Sequence, residues 1–198
     1  MKRFFAMLVV FLLVAGIFAK ESSSNTKAIG AQFAIGSGYM FYGDKQMKNR
    51  VSDMNSRDFS RFILGGDVGM YAKLTDNAEF IATTDLFSDL FWKSKEYCFI
   101  FDYAFNIGLR VYPGLGGLSC ALSYALGRRT AVIDIDDEDN DVVSTKWGNG
   151  FKCAVEYDLK YGTNGGIAPV IGTYWRHMPR GYDTSDNILS VYLRFIAR

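Results

Sequence analysis

The chain has 198 residues with a formal net charge of +1; 49% are hydrophobic and 16% aromatic, with 12 Tyr, 16 Phe and 20 Gly. A near-neutral balance without a block of Lys or Arg interleaved with aromatics excludes a nucleic-acid-binding footprint, and the length suits one domain. Its three cysteines, Cys98, Cys120 and Cys153, are odd in number and match no zinc-site spacing, which excludes a disulfide scaffold and a structural zinc.

Residues 1–19 read as a cleavable export signal. Lys2 and Arg3 form a basic start, residues 4–14 an apolar stretch too short to span a bilayer, and Ala15, Gly16 and Ala19 supply small residues before Lys20. No cysteine lies near Lys20, so a lipid anchor is not expected. Beyond the signal no run reaches the 18 apolar residues of a transmembrane helix. Residues 20–198 are expected to form one barrel domain.

From residue 28 onward the chain alternates apolar and polar residues with a period of two, which means β-strands with two unlike faces. Segment 28–41 sets Ile29, Ala31, Phe33, Ile35 and Tyr39 against Gly30, Gln32, Ala34, Gly36 and Gly38. Segment 59–74 sets Phe62, Leu64, Val68, Met70, Ala72 and Leu74 against Asp67, Gly69 and Lys73. Segment 78–92 sets Phe80, Ala82, Thr84 and Leu86 against Glu79, Thr83 and Asp85. Segment 98–112 is the clearest: Phe99, Phe101, Tyr103, Phe105, Ile107, Leu109 and Val111 alternate with residues that include Asp102, Asn106, Gly108 and Arg110. Segments 117–130, 145–161, 167–177 and 187–198 repeat the pattern, with Pro169 tolerated near a strand start.

Eight such segments predict an all-β, eight-stranded antiparallel up-and-down transmembrane β-barrel, greasy outside and polar inside. The inverted arrangement, a soluble barrel, would crowd many aromatics into an eight-stranded interior that has room only for modest side chains. Connections 75–77, 113–116 and 162–166 are short and rich in turn formers, whereas 42–58, 93–97, 131–144 and 178–186 are mostly longer and more polar. That alternation predicts turns at one membrane face and loops at the other. Tyr39, Trp92, Trp147 and Trp175 then fall at the loop end as an interfacial aromatic belt. Tyr97 and Phe99 join it, and Tyr112, Tyr157, Tyr161 and Phe195 form the opposite belt. Cys120 and Cys153 are expected on outward faces of neighbouring strands, about three residues out of register, as free thiols.

On this pattern the chain resembles the small eight-stranded outer-membrane barrels of the OmpW, OmpX and OmpA-barrel type, most of all the small barrels of spirochaete outer membranes. The sharpest element is the last strand, where Leu189, Val191, Leu193 and Phe195 alternate with Ser190, Tyr192 and Arg194. The resemblance implies that this strand carries the signal read by the barrel-assembly machinery, although Ile196, Ala197 and Arg198 run past the aromatic that usually ends it. It also implies an outer-membrane location with the lipid bilayer as partner, and a porin-like narrow conduit for small solutes. The alternative expectation is a surface interaction or adhesin barrel that binds a ligand through loops 42–58, 134–141 and 178–186.

Three features are candidates for chemistry. Asp67, Lys73, Glu79, Asp85, Asp102, Arg110, Lys152, Glu156, Asp158, Lys160, Arg176 and Arg194 are expected to face the lumen, where charges must pair or suffer heavy desolvation. The acidic run from Asp134 to Asp141 lacks the turn glycine and closing acid of a calcium loop and reads as a solvated loop. His177 is the only histidine; a lipid-modifying enzyme would need a serine and an acid beside it, and only Ser185, Asp183 and Asp186 could reach it by loop folding. The expectation is therefore a non-enzymatic protein without cofactor or metal.

Overall fold

The computed structural model describes residues 29–135, 141–163, 165–181 and 184–197, so the expected signal 1–19 and residues 136–140 of the acidic run lie outside it. In chain order the described elements are β1 (Ile29–Phe41), α1 (Lys45–Ser56), β2 (Ser60–Thr75), β3 (Ala78–Lys93), β4 (Glu96–Val111), β5 (Leu118–Asp134), β6 (Asp141–Ser144), β7 (Gly148–Asp158), β8 (Ile167–Gly181) and β9 (Thr184–Ala197). Neighbouring strands are antiparallel throughout, β4 pairs with β5, and β1 pairs with β9, so the sheet closes on itself.

β6 and β7 are two pieces of one wall strand. Both pair with β5: Thr130 faces Ser144 and Gly127 faces Gly148. Between those pairs Arg128 and Arg129 oppose Thr145, Lys146 and Trp147, a one-residue bulge. Thr145 bridges it, donating its N–H to Arg129 O at 2.9 Å and accepting the Arg129 N–H on Oγ1 at 3.0 Å. The wall therefore has eight strands.

Polarity runs as the period-two pattern requires. Leu122 and Val191 are each more than 60% exposed on the outer wall, while Asp102 and Arg110 in the neighbouring wall strand β4 are fully buried. Four hydrocarbon-rich outward rows make the point: Phe33 and Ile35 on β1, Phe62 and Leu64 on β2, Ile107 and Leu109 on β4, and Leu189 and Val191 on β9 are all exposed. The short turns sit together at one end. Gly114, Gly116 and Gly117 all have φ between 54° and 96°, a region open to glycine, which lets the 112–117 connection fold back tightly.

Several expected boundaries move. Connection 42–58 is not an open loop: Asp44 caps the N-terminus of α1, accepting the Met47 N–H at 2.7 Å, and the buried residues Met47, Val51 and Met54 face the barrel mouth. Connection 93–97 shrinks to Ser94 and Lys95, since Lys93 already pairs with Glu96. β5 runs on to Asp134, β8 to Gly181 and β9 begins at Thr184, inside connections expected as loops. At the other connection the strand expected over 145–161 starts at Gly148 and ends at Asp158. The end asymmetry thus lies mainly in strand length. Beyond the bilayer the strands need no greasy outward face, so alternation fades from the sequence while backbone pairing continues. Cys120 faces Val155 and Cys153 faces Leu122, so these thiols are two positions out of register rather than three, and all three cysteines are free.

Candidate functional site

Alternation along the wall strands turns short-range sequence into a long-range cluster, because every second residue of each strand meets the same narrow lumen. From the turn end upward, Glu79 pairs with Arg110 at 2.8 Å, and Arg110 with Glu156 at 2.6 Å. Glu156 pairs with Arg194, which reaches Asp67 at 2.7 Å; Asp67 meets Lys152 at 3.5 Å, and Lys152 holds Asp85 at 2.9 Å. Asp85 meets Arg176 at 3.5 Å, Arg176 holds Asp102 at 2.5 Å, and Asp102 pairs with Arg180. Arg180 holds Asp186 at 2.8 Å, Asp186 holds Arg129 at 2.7 Å, and Arg129 pairs with Asp44, the cap of α1. Signs alternate strictly along the whole series, so each interior charge lies between two opposite ones.

Neutral groups fill the remaining valences. Gln32 accepts from Arg110 at 2.9 Å, Tyr192 donates to Glu156 at 2.6 Å, and Lys152 lies 4.3 Å from the ring centre of Tyr174. Beside Lys152, Glu156 and Arg194 the free space is about 10 Å³, roughly the room of one water.

The outer end of the lumen is built differently. Tyr42, Met47, Val51, Met54, Phe59, Phe87, Phe91, Cys98, Ile100 and Ile133 form an apolar core beneath α1. β1 and β2 pair only as far as Gly36 and Gly65. Above that point Arg61 lies 5.0 Å from the ring centre of Tyr39 and 4.8 Å from that of Phe91. Its guanidinium is held by the fully buried Asp89 at 2.7 Å, which also accepts from Tyr42 at 2.6 Å. Beside this cap a mouth cavity of about 320 Å³ is lined by Asp44, Gln46, Arg50, Arg129, Thr145 and Arg180, among others. Burial pushes the Asp44 carboxyl up, but the Met47 N–H and the Arg129 guanidinium outweigh it and hold the group below its ordinary value.

The residues singled out in sequence divide accordingly. Asp67, Glu79, Asp85, Asp102, Arg110, Lys152, Glu156, Arg176 and Arg194 come together in the axial series. Lys73 does not: its Nζ pairs with exposed Asp76 in the β2–β3 turn at 2.9 Å, because it sits at the strand end, where the side chain reaches water. Asp158 is buried at the same end, accepting from the Lys160 N–H at 2.8 Å, and Lys160 reaches Ile167 O at 3.3 Å. Asp44, Arg61, Asp89, Arg129, Arg180 and Asp186 were missed. Asp89 lies two steps beyond Asp85 on the inward row of β3, and Arg129 one step beyond Gly127 on that of β5, so following the period finds them; Arg180 and Asp186 lay in a segment read as loop.

Tyr39, Trp92, Trp147 and Trp175 are all exposed on the outer wall toward the loop end. Trp147 packs against Tyr103 and Phe105, with ring centres 5.7 and 6.2 Å apart, and Trp175 against Phe151 at 5.2 Å. Leu189, Val191, Leu193 and Phe195 are likewise exposed on β9. His177 Nδ1 lies 2.9 Å from Asn187 Oδ1, which also accepts from Trp175 Nε1 at 3.2 Å. Asp186 points the other way, onto Arg129 and Arg180, Ser185 sits across from Pro179, and Asp183 lies outside the described residues. Among the described residues no group of His, Cys, Asp and Glu is arranged to hold a metal.

No protein-family profile and no characterised protein matches the sequence. By fold the chain is similar to Ail, the attachment invasion locus protein of Yersinia pestis, in complex with the heparin analogue sucrose octasulfate: TM-score 0.58 at 8% identity, over 85% of this chain and 97% of that one. A second structure of Ail gives a TM-score of 0.54 at 8% identity over the same shares. Neisserial surface protein A gives 0.47 at 11% identity, over 88% of this chain and 98% of that one. These are small eight-stranded outer-membrane barrels, and the chain shares that fold.

Proposed function

We propose that this chain is an exported, non-enzymatic outer-membrane barrel that works as a surface interaction protein, taking an anionic saccharide or similar polyanion at its outer end. The observation that carries the reading is the contrast between a filled lumen and a basic, capped mouth. A continuous series of buried ion pairs occupies the axis, and separating buried partners costs far more than a small solute's passage supplies. That weighs against the porin-like alternative. At the mouth, the side chains of Lys45, Lys48 and Arg50 on α1 make no hydrogen bond or ion pair among the described residues, and Arg50 lines the 320 Å³ cavity. Asp53 is the one acid on the helix, and Arg57 pairs with it at 3.7 Å and with Glu96 at 2.8 Å. The fold shared with Ail, whose structure holds a heparin analogue, supports the same class of ligand. The last strand, through Leu189, Val191, Leu193 and Phe195, would be the segment offered to the barrel-assembly machinery, and Tyr39, Trp92, Trp147 and Trp175 would set the barrel's height in the bilayer.

The test uses the full barrel refolded in phosphatidylcholine nanodiscs and titrated with sucrose octasulfate. Binding that weakens with salt, and that falls at least tenfold in the Lys45→Gln, Lys48→Gln, Arg50→Gln triple variant, is expected. Equal binding by the triple variant, or steady single-channel conductance in a planar bilayer, would contradict the reading.

A further inference from the structure

Among the described residues, the outer wall carries one cation with no partner. Arg128 lies on the outward row of β5, following Leu118, Cys120, Leu122, Tyr124 and Leu126. Its Nε is buried yet makes no hydrogen bond, and no ion pair holds its guanidinium among the described residues. The buried arginines of the axial series differ, since each meets at least one carboxylate.

Its height is set by the chain itself. From Leu118 to Arg128 is about eleven residues, the length a strand tilted near 45° needs to cross the hydrocarbon layer. The same count from the turn end reaches Tyr39 on β1, His177 on β8 and Asn187 on β9, each a polar group on an outward row, whereas on β4 it reaches Phe101 and the apolar row runs on through Phe99. On its own strand Arg128 therefore stands at the outer edge of the apolar row, with Thr130 next outward. Just beyond it, Thr130 on the same row shares a hydrogen bond of 2.9 Å with Ser144. Tyr103 lies directly across on β4, and Trp147, from the bulge on the other side, reaches over β5 to pack on Tyr103 and Phe105. Arg128 thus shares its stretch of the outer wall with two aromatic residues, Tyr103 in register across β4 and Trp147 in the bulge opposite.

We infer that Arg128 is a binding site for the phosphate of an outer-leaflet lipid headgroup, with Trp147 and Tyr103 seating the upper acyl chain. A guanidinium suits phosphate through parallel N–H donors, and the site gives the barrel a fixed lipid neighbour at the bulge between β6 and β7. This rests on the membrane reading above, so insertion is measured separately, by the heat-dependent gel shift of the folded barrel.

The experiment loads wild-type barrel into phosphatidylcholine nanodiscs containing a small fraction of bis-phosphorylated lipid A, extracts it into mild detergent, and counts retained lipid A by native mass spectrometry. Retention at least fivefold above that of dephosphorylated lipid A is expected, with Arg128→Gln falling to the dephosphorylated level, Arg128→Lys lying between, and millimolar inorganic phosphate leaving retention unchanged. Equal retention of the two lipids by inserted wild-type protein would overturn the proposal without any variant having to fold. Displacement by inorganic phosphate would overturn it in favour of a free-ion site, and a barrel that never inserts would overturn the membrane reading on which it stands.

Discussion

The two ends of the lumen solve the same packing problem by opposite chemistry. The turn end and middle are filled by charges of alternating sign, whereas the outer end is an apolar core closed by α1, with the buried Arg61–Asp89 pair and the last members of the series, Arg180, Asp186 and Arg129, set beside it. The difference follows from what each end must exclude. A lumen wrapped in hydrocarbon cannot leave a charge unpaired, so it holds a rigid series in which each group depends on its neighbours. The mouth meets water and is sealed by an amphipathic helix whose other face displays cations. The coupling point is Asp44, which caps the helix and ends the ion-pair series through Arg129.

The comparison predicts unequal consequences of damage. Removing Arg110 takes the ion-pair partner of Glu79 and leaves Glu156 with Arg194 and Tyr192, so Arg110→Ala should cost about 3–5 kcal/mol and lower the urea midpoint of the whole barrel. An unchanged midpoint would mean the axial charges are not coupled. Met54→Ala should remove about 2–3 kcal/mol from helix docking alone. Hydrogen exchange should accelerate over α1 and leave β4 and β9 protected; uniform acceleration would erase the distinction between the two ends.

How much of this was legible depends on what each residue signals alone. The eight wall strands and the inward direction of Asp67, Asp102 or Arg110 follow from period-two alternation, because a one-residue slip would turn every charge into lipid. The α1 segment gave no such signal: Lys45 to Ser56 holds only three spaced apolar residues, Met47, Val51 and Met54, in a polar stretch that reads as loop until the barrel mouth supplies the partner surface. Apart from hairpin neighbours such as Glu79 and Arg110, ion-pair partners were not legible. Arg176 meets Asp102 from β4 and Asp85 from β3, and such pairs form across the lumen, where register and shear, not spacing along the chain, decide which groups meet.

Smaller effects sharpen the coupling at Asp44. Asp44→Ala should cost about 1 kcal/mol as a lost cap and release Nη2 of Arg129, whose Nη1 stays on Asp186, toward the mouth cavity, tightening polyanion binding; weaker binding would place the ligand elsewhere. The folded carboxyl titrates below its ordinary value, so its contribution to docking is complete above the unfolded value and is lost as pH falls through the lower folded one. Exchange over α1 should therefore be flat near neutrality and rise relative to the Asp44→Ala protein only in acid.

The central claim is that hydrocarbon surrounds the wall and charge fills the axis. Spin labels placed one at a time at residues 102 to 109, with Cys98, Cys120 and Cys153 replaced by alanine, test it by power saturation in lipid vesicles. The account predicts oxygen accessibility that alternates residue by residue, high at Tyr103, Phe105, Ile107 and Leu109 and low at Asp102, Ala104, Asn106 and Gly108. Accessibility to a water-soluble nickel complex at the even positions, with the odd ones shielded from oxygen, would contradict it.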